Sequence, residues 1–305
     1  MIKSNPYHIL FFLIFACQSY SQELKLFTIA DFDLKGKVKK CTVSTDYGKE
    51  VFEFNEEGYL LKSITAYNEE DKDITTYRYN NGFLVEKRLE SYKNNVLDKA
   101  TSIANFYEID TTKSKIIREQ IISYDKEFLE QQEYIFGEED RLFKIITSHE
   151  NAIDETIIEY AIYKDEITKT FFINDVIDKS IRTSNQTAKS KEIQKTILIK
   201  EFLDGEPNKA IEKRFNKNDR LVYEEHFYTD KSKEGFVSKE IHFFEYDDGI
   251  LKKETIKQGN AVSNKEFIFQ FDDSEEKNWV KKIITPDNKY TTRNIEYYPN
   301  LTVEE

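Results

Sequence analysis

The chain has 305 residues, with 57 acidic and 45 basic side chains and a net charge of −12 at pH 7. A surface of that sign repels nucleic acid and anionic lipid headgroups, which excludes nucleic acid as a partner class. With 23 Phe and 19 Tyr against 9 Gly and 4 Pro, the chain is neither disordered nor of low complexity, and it is expected to fold.

In chain order, the first element is a leader. Residues 9–16 read Ile-Leu-Phe-Phe-Leu-Ile-Phe-Ala, with Lys3 the one charged side chain ahead of them. This run is short of the roughly 20 residues that span a bilayer, and Ser19 and Ser21 place small residues before a cut ahead of Gln22. Residues 1–21 therefore read as a signal peptide. Ile14-Phe15-Ala16-Cys17 also resembles a bacterial lipobox, so Cys17 is a candidate lipidation site and a second possible mature N-terminus. The chain is expected to be exported to the periplasm, the outer membrane surface or the extracellular medium. It would meet a membrane only through that lipid anchor. Cys41 is then the one cysteine certain to remain, and it reads as a small residue on a strand.

From there on, aromatic or β-branched residues alternate with charged ones, as at Phe52 and Phe54, Tyr77 and Tyr79, and Phe267, Phe269 and Phe271. Period two puts one set on a buried face and the other in water, which is strand chemistry. The strands are punctuated by a recurring unit of an aromatic residue, a turn of Asn, Asp, Gly or acidic residues, and a Leu or other apolar residue that restarts the alternation. Copies begin at Phe54, Tyr79, Tyr124, Phe136, Phe215, Tyr246 and Phe271. Where the anchors are regular they recur every 25 to 31 residues, about the length of two strands with their turns. Asn, Asp and Gly suit such turns because they tolerate positive φ and bond nearby backbone amides.

Between Phe136 and Phe215 the anchor is lost, although alternation persists at Thr156-Ile157-Ile158-Glu159-Tyr160 and Lys169-Thr170-Phe171-Phe172-Ile173. This stretch reads as diverged repeats. The best helical spacing is a modest one over residues 188–200, and the most polar acid-free stretch, residues 180–190, is where a domain split would fall. The expected fold is all-β: a repetitive antiparallel β-hairpin meander forming a twisted or rolled sheet, with residues 22–305 as a single repeat domain.

The units at Tyr124-Asp125 and Tyr246-Asp247-Asp248-Gly249-Ile250-Leu251 resemble the tyrosine–aspartate (YD) repeat of rearrangement-hotspot (RHS) and teneurin-type proteins. Asn278-Trp279-Val280-Lys281-Lys282, followed by Arg293-Asn294-Ile295-Glu296-Tyr297, looks like the closing unit of short exported Bacteroidetes repeat proteins. The resemblance implies a coiled sheet of hairpins and no catalytic activity. Large members carry a C-terminal toxin, for which Glu304-Glu305 leaves no room here.

Catalytic signatures are scarce. There is no Gly-x-Ser-x-Gly, no phosphate-cradling Gly-rich loop and no His-Glu-x-x-His. His226 and His242 fall on two strands joined by a polar turn, and with Glu224 or Glu240 they have metal-ligand chemistry, although half-exposed strand residues explain them as well. Glu56-Glu57, Asp247-Asp248, Asp272-Asp273 and the segment Asp31-Phe32-Asp33-Leu34-Lys35-Gly36 offer carboxylates at turns, where solvation explains them without calcium. Trp279, the only tryptophan, is the candidate for ligand stacking. No cofactor is expected. The sequence points to a non-enzymatic exported envelope or secreted protein whose repeat sheet binds or scaffolds an unknown protein or glycan partner. The alternatives are a glycan-binding module with an exposed aromatic face and a carboxylate-based hydrolase.

Overall fold

The computed structural model describes residues 26–185, 193–230 and 235–299, so Cys17 and the leader lie outside the described residues. Apart from two short 3-10 turns, Ile29–Phe32 and Glu138–Asp140, the regular structure among the described residues is all strand. The first half runs β1 Val38–Thr45, β2 Gly48–Phe54, β3 Leu60–Ala66, β4 Lys72–Asn80, β5 Phe83–Lys93, β6 Val96–Asp110, β7 Ile116–Ser123, β8 Phe128–Phe136, β9 Leu142–His149 and β10 Ile153–Tyr163. The second half runs β11 Glu166–Ile173, β12 Val176–Asn185, β13 Ile193–Leu203, β14 Glu206–Asn216, β15 Leu221–Thr229, β16 Phe236–Asp247, β17 Ile250–Gln258, β18 Ala261–Phe271, β19 Trp279–Thr285 and β20 Lys289–Tyr297.

Every strand pairs antiparallel with the next, and β20 pairs with β1 through Ile295 opposite Cys41 and Arg293 opposite Val43. The hairpin meander is therefore closed into a β-barrel of twenty strands, more definite than a rolled sheet. Closure removes both sheet edges, so no strand among the described residues is left with an unpaired row of amides. A barrel of about eight strands is filled by its own side chains, whereas twenty strands enclose more space than side chains can fill. Accordingly, extensive contacts among the described strands are confined to neighbours around the ring.

The buried residues form three separate clusters, around Phe54 and Leu60, around Phe136 and Leu142, and around Ile197 and Phe215. All three lie on one face, which is the concave one where side chains of a ring converge. The other face carries cross-strand charges, such as Lys40 with Glu296, Arg118 with Glu133, and Lys144 with Glu155. No helix among the described residues is long and apolar enough to cross a membrane.

All seven predicted units are hairpin turns between consecutive strands. In a closed meander, turns after even-numbered strands share one rim, and six of the seven stand there. The seventh, at Tyr124, follows β7 and lies at the opposite rim.

At the shared rim the aromatic anchor sits at a register shift, as between Glu53 and Phe54, Arg78 and Tyr79, Ile135 and Phe136, Arg214 and Phe215, and Glu245 and Tyr246. A tyrosine of the next unit then reaches back. The hydroxyls of Tyr79, Tyr160 and Tyr246 donate to the carbonyls of Leu60, Leu142 and Leu221 at 2.8, 2.8 and 2.9 Å. The residue before each leucine stacks on that tyrosine: Tyr59 on Tyr79 at 5.4 Å, Arg141 on Tyr160 at 5.7 Å and Arg220 on Tyr246 at 5.9 Å. Tyr160 is thus an anchor of the diverged middle.

One expectation, for residues 188–200, is corrected. The helical spacing over residues 188–200 is strand from Ile193 onward, because Ile197 and Ile199 alternate onto the inner face and β13 bonds both β12 and β14. Nor does the sheet divide there, since β12 pairs directly with β13.

Candidate functional site

The seam of the ring is where β1 meets β20, and there the N-terminal segment crosses the shared rim. Its shape comes from local chemistry. Asp31 accepts a bond from the Thr28 amide at 2.8 Å, and Asp33 ends the turn in the left-handed region at φ 53°. The carboxylates that suggested a calcium loop are thereby engaged: Asp31 by Thr28, and Asp33 by the Trp279 indole Nε1, which donates to it at 2.7 Å.

Trp279 opens β19 after a seven-residue turn at this rim. Asn278, beside it, is buried and fixes the N-terminal segment in a two-way clasp. Its Oδ1 accepts from the Lys35 amide at 2.8 Å, and its Nδ2 donates to the Lys35 carbonyl at 2.9 Å and to the Tyr297 hydroxyl at 2.8 Å. Tyr297 in turn donates to Asp272 at 2.5 Å. Arg293 of β20 lies over the indole at 3.4 Å and donates to the carbonyls of Phe32 and Asp33. The two sequence segments singled out as a closing unit meet here, and they hold the N-terminal segment against the seam.

The ring of Trp279 is 9% exposed, with Arg293 over its face and the edge of Phe269 against it at 5.9 Å. One stacking face is thus already taken by a residue of the chain. What remains open is a cavity of 480 Å³ beside it, between β16–β19 and the N-terminal segment. Phe267, Phe269 and Phe271 line one wall because alternate residues of β18 point inward, and Tyr246 with Leu251 lines the other. Phe271 remains 40% exposed at the mouth.

Four cations border this cavity, Lys35, Arg220, Lys277 and Lys282, against a single carboxylate, Asp33. Lys282 lies over the indole at 5.3 Å. Burial pushes its ammonium below the ordinary lysine range and the Arg293 charge adds to this, while Asp33 pulls the other way. Burial likewise lowers Arg293, whose Nε has no hydrogen-bond partner among the described residues. Two half-buried cations thus share one carboxylate that is already bonded to the indole. Elsewhere on the ring cations are routinely paired; these four have no carboxylate within ion-pairing distance among the described residues.

Sequence reading missed Arg220 and Lys282 as members of one site, although Arg220 precedes a unit-restarting Leu just as Arg141 does.

The histidines do come together, with ring centroids 5.7 Å apart across β15 and β16. His226 Nε2 meets Glu224 at 2.7 Å, His242 Nδ1 meets Glu254 at 2.7 Å, and His242 Nε2 meets Glu240 at 2.5 Å. Ionised carboxylates only accept, so two of them at the two nitrogens of His242 favour the imidazolium form. The hydrogen bond to Glu254 raises its pKa, burial lowers it, and Glu240 raises it again, for a net rise. Lys213 and Lys265 extend this ion-pair ladder to Glu224 and Glu254. Its ring nitrogens are therefore taken up by ion pairs, and no metal-holding group occurs among the described residues. Cys41 is buried at the seam, and burial pushes its thiol up to about 11, so it is an unreactive thiol at neutral pH.

No family model matches this sequence, and no curated relative is found for it. Among solved structures the chain is similar to a porin-like protein from Bacteroides uniformis ATCC 8492, at 7% identity over 85% of this chain and 98% of that one, with a TM-score of 0.33. It is also similar to a porin-like protein from Bacteroides vulgatus ATCC 8482, at 13% identity over 86% and 98% of the two chains, with a TM-score of 0.24. Likenesses at these scores leave function to the site itself.

Proposed function

We propose that the chain is a non-enzymatic, exported envelope protein whose hairpin barrel is a scaffold for a binding cavity at its seam. The observation that carries this reading is the cavity beside Trp279, with aromatic walls, an open mouth and four cations without ion-pair partners among the described residues. Apolar walls with a few convergent polar groups are the usual make-up of a ligand site. Binding is favoured over hydrolysis because a glycosidase needs two carboxylates flanking its substrate. The lining here includes one, and the indole already occupies it.

Export rests on the apolar run of residues 9–16. A barrel that meets lipid carries an apolar outward band. The outward ladders of Lys40, Arg118 and Lys144 with their acidic partners support a barrel standing in water, tethered at most by a lipidated Cys17. The test is native mass spectrometry of the protein purified from its own envelope. A retained ligand, lost on Phe269→Ala, is the expected result. A protein found only in the cytosolic fraction, or one retaining nothing, would overturn the reading.

A further inference from the structure

We infer that the seam cavity takes a carboxylate carried on a ring, an acidic sugar or an aromatic acid, with the carboxylate seated at Lys282 and Arg220 and the ring against Phe267, Phe269 and Phe271. This rests on the binding function proposed above and names its ligand class.

Charge balance is the first support. The protein as a whole carries −12, yet this cavity has four cations to one acid. A half-buried ammonium without a counter-charge is costly, and a bound anion removes that cost. Lys282 is so placed, because its one nearby carboxylate is bonded to the indole. An anionic ligand therefore gains a charge-assisted bond that no described side chain of the ring already makes.

The walls supply the second support. Three phenylalanines at alternate positions of β18 present ring edges and faces over about the length of one or two sugar rings, which suits a ring body and offers nothing to a bare inorganic anion. Phe269 and Phe271 lie 6.3 Å apart and are tilted by 31°, so they form a continuous aromatic wall. The cavity volume of 480 Å³ is within the range of small-ligand sites.

Third, Arg220 is held in place by residues of the cavity wall itself. It stacks on Tyr246, and Gly249 makes room for it: a Cβ on Gly249 would lie 2.1 Å from the Arg220 Nη2. Its guanidinium is therefore positioned before any ligand arrives, which lowers the ordering cost of binding.

The experiment uses Trp279 as the reporter, since it is the only tryptophan and sits in the wall. The full mature chain is titrated with glucuronate, benzoate, glucose and inorganic phosphate, and indole fluorescence is followed. Saturable change with glucuronate or benzoate, at least about tenfold tighter than with glucose or phosphate, is expected. Which of the two binds identifies the ring as a sugar or an aromatic acid. Lys282→Gln and, at the mouth, Lys277→Gln should each weaken that binding, Lys282→Gln by about tenfold, with the thermal midpoint recorded to exclude unfolding.

Equal response to glucose and glucuronate, phosphate binding as tight as either acid, or no saturation with either acid would each overturn the ligand class. If the native protein still retains a neutral glycan or a protein partner, the ligand class alone falls. If it retains nothing, the binding function falls with it.

Discussion

Along the regular rim, Tyr246 bonds the carbonyl of Leu221, 25 residues upstream, and Tyr79 bonds that of Leu60, 19 upstream. At the seam, Trp279 bonds Asp33 across 246 residues and Arg293 bonds Phe32 across 261. The first arrangement is a chain of neighbours, each unit stapled to the one before, as in repeat proteins whose stability is close to a sum of local terms. The second is one long-range closure, with a large loop-closure entropy to overcome and a dense cluster of indole, guanidinium and buried amide to overcome it. The cavity lies where the two meet, bordered by the unit residues Arg220 and Tyr246 on one side and the seam residues Asp33 and Trp279 on the other.

Trp279→Ala should have the largest effect, about 3–5 kcal/mol in urea denaturation, because it removes a buried aromatic together with the Asp33 bond and the Arg293 contact. Hydrogen exchange sharpens the contrast. Amides of β1, β19 and β20 should lose protection while those of β4–β8 keep theirs. Uniform loss around the ring would mean that the barrel is one cooperative unit, and the distinction between rim and seam would collapse.

Gly249→Ala should cost about 1–3 kcal/mol, since the position has φ +82° and the added methyl meets Arg220. Its mark would be a loss of the Arg220–Tyr246 stack, visible as a shift in tyrosine absorbance or ring NMR signals. An unchanged stack would mean that Arg220 is held by something other than the glycine.

Smaller still, Tyr79→Phe, Tyr160→Phe and Tyr246→Phe should each cost about 0.5–1.5 kcal/mol, the worth of one hydroxyl donating to a carbonyl. Similar values at all three would place β10 in the repeat on energetic grounds. A null result at Tyr160 alone would remove it.

The smallest effect is on pH dependence. His242 has a raised pKa, so its contribution is fully present below the ordinary 6.5 and is lost as pH rises through the folded value. Burial would raise Glu224, Glu240 and Glu254, but bonds to the histidines, with further support from Lys213, Gln258 and Lys265, outweigh it and hold all three below the ordinary 4.5. Their contribution is present above 4.5 and lost as pH falls. The thermal midpoint should thus decline on both sides of a plateau between about 4.5 and 6.5. His242→Gln should flatten the alkaline side while leaving Trp279 fluorescence unchanged. An alkaline decline that persists in His242→Gln would assign it to another group.

Much of the rim was legible in the sequence because its determinants are local. In six of the seven units an aromatic residue, a turn tolerant of positive φ and a restarting leucine are all within seven residues, the last running on from Phe271 to Val280, and all seven are hairpin turns. Tyr160 escaped notice because its turn falls four residues later, at Lys164 and Asp165, with no Asn or Gly to mark it. The helical spacing over residues 188–200 misled because Ile193 and Ile197, four apart, satisfy both a helical and a strand period in so short a window, and only pairing on both sides decides it. Trp279 was legible as an unusual residue, but not as one with Arg293 over its ring.

By itself the sequence determined most of the strands, the antiparallel hairpins at seven turns and the shared face of the alternating aromatic residues, because period two and turn chemistry act over a few residues. Only the tertiary structure decided that twenty strands close into a barrel, that Asp33 meets Trp279, and that Arg220 and Lys282 face one cavity. These depend on register carried around the whole ring, where a shift at each anchor adds to the next. No local pattern records that sum.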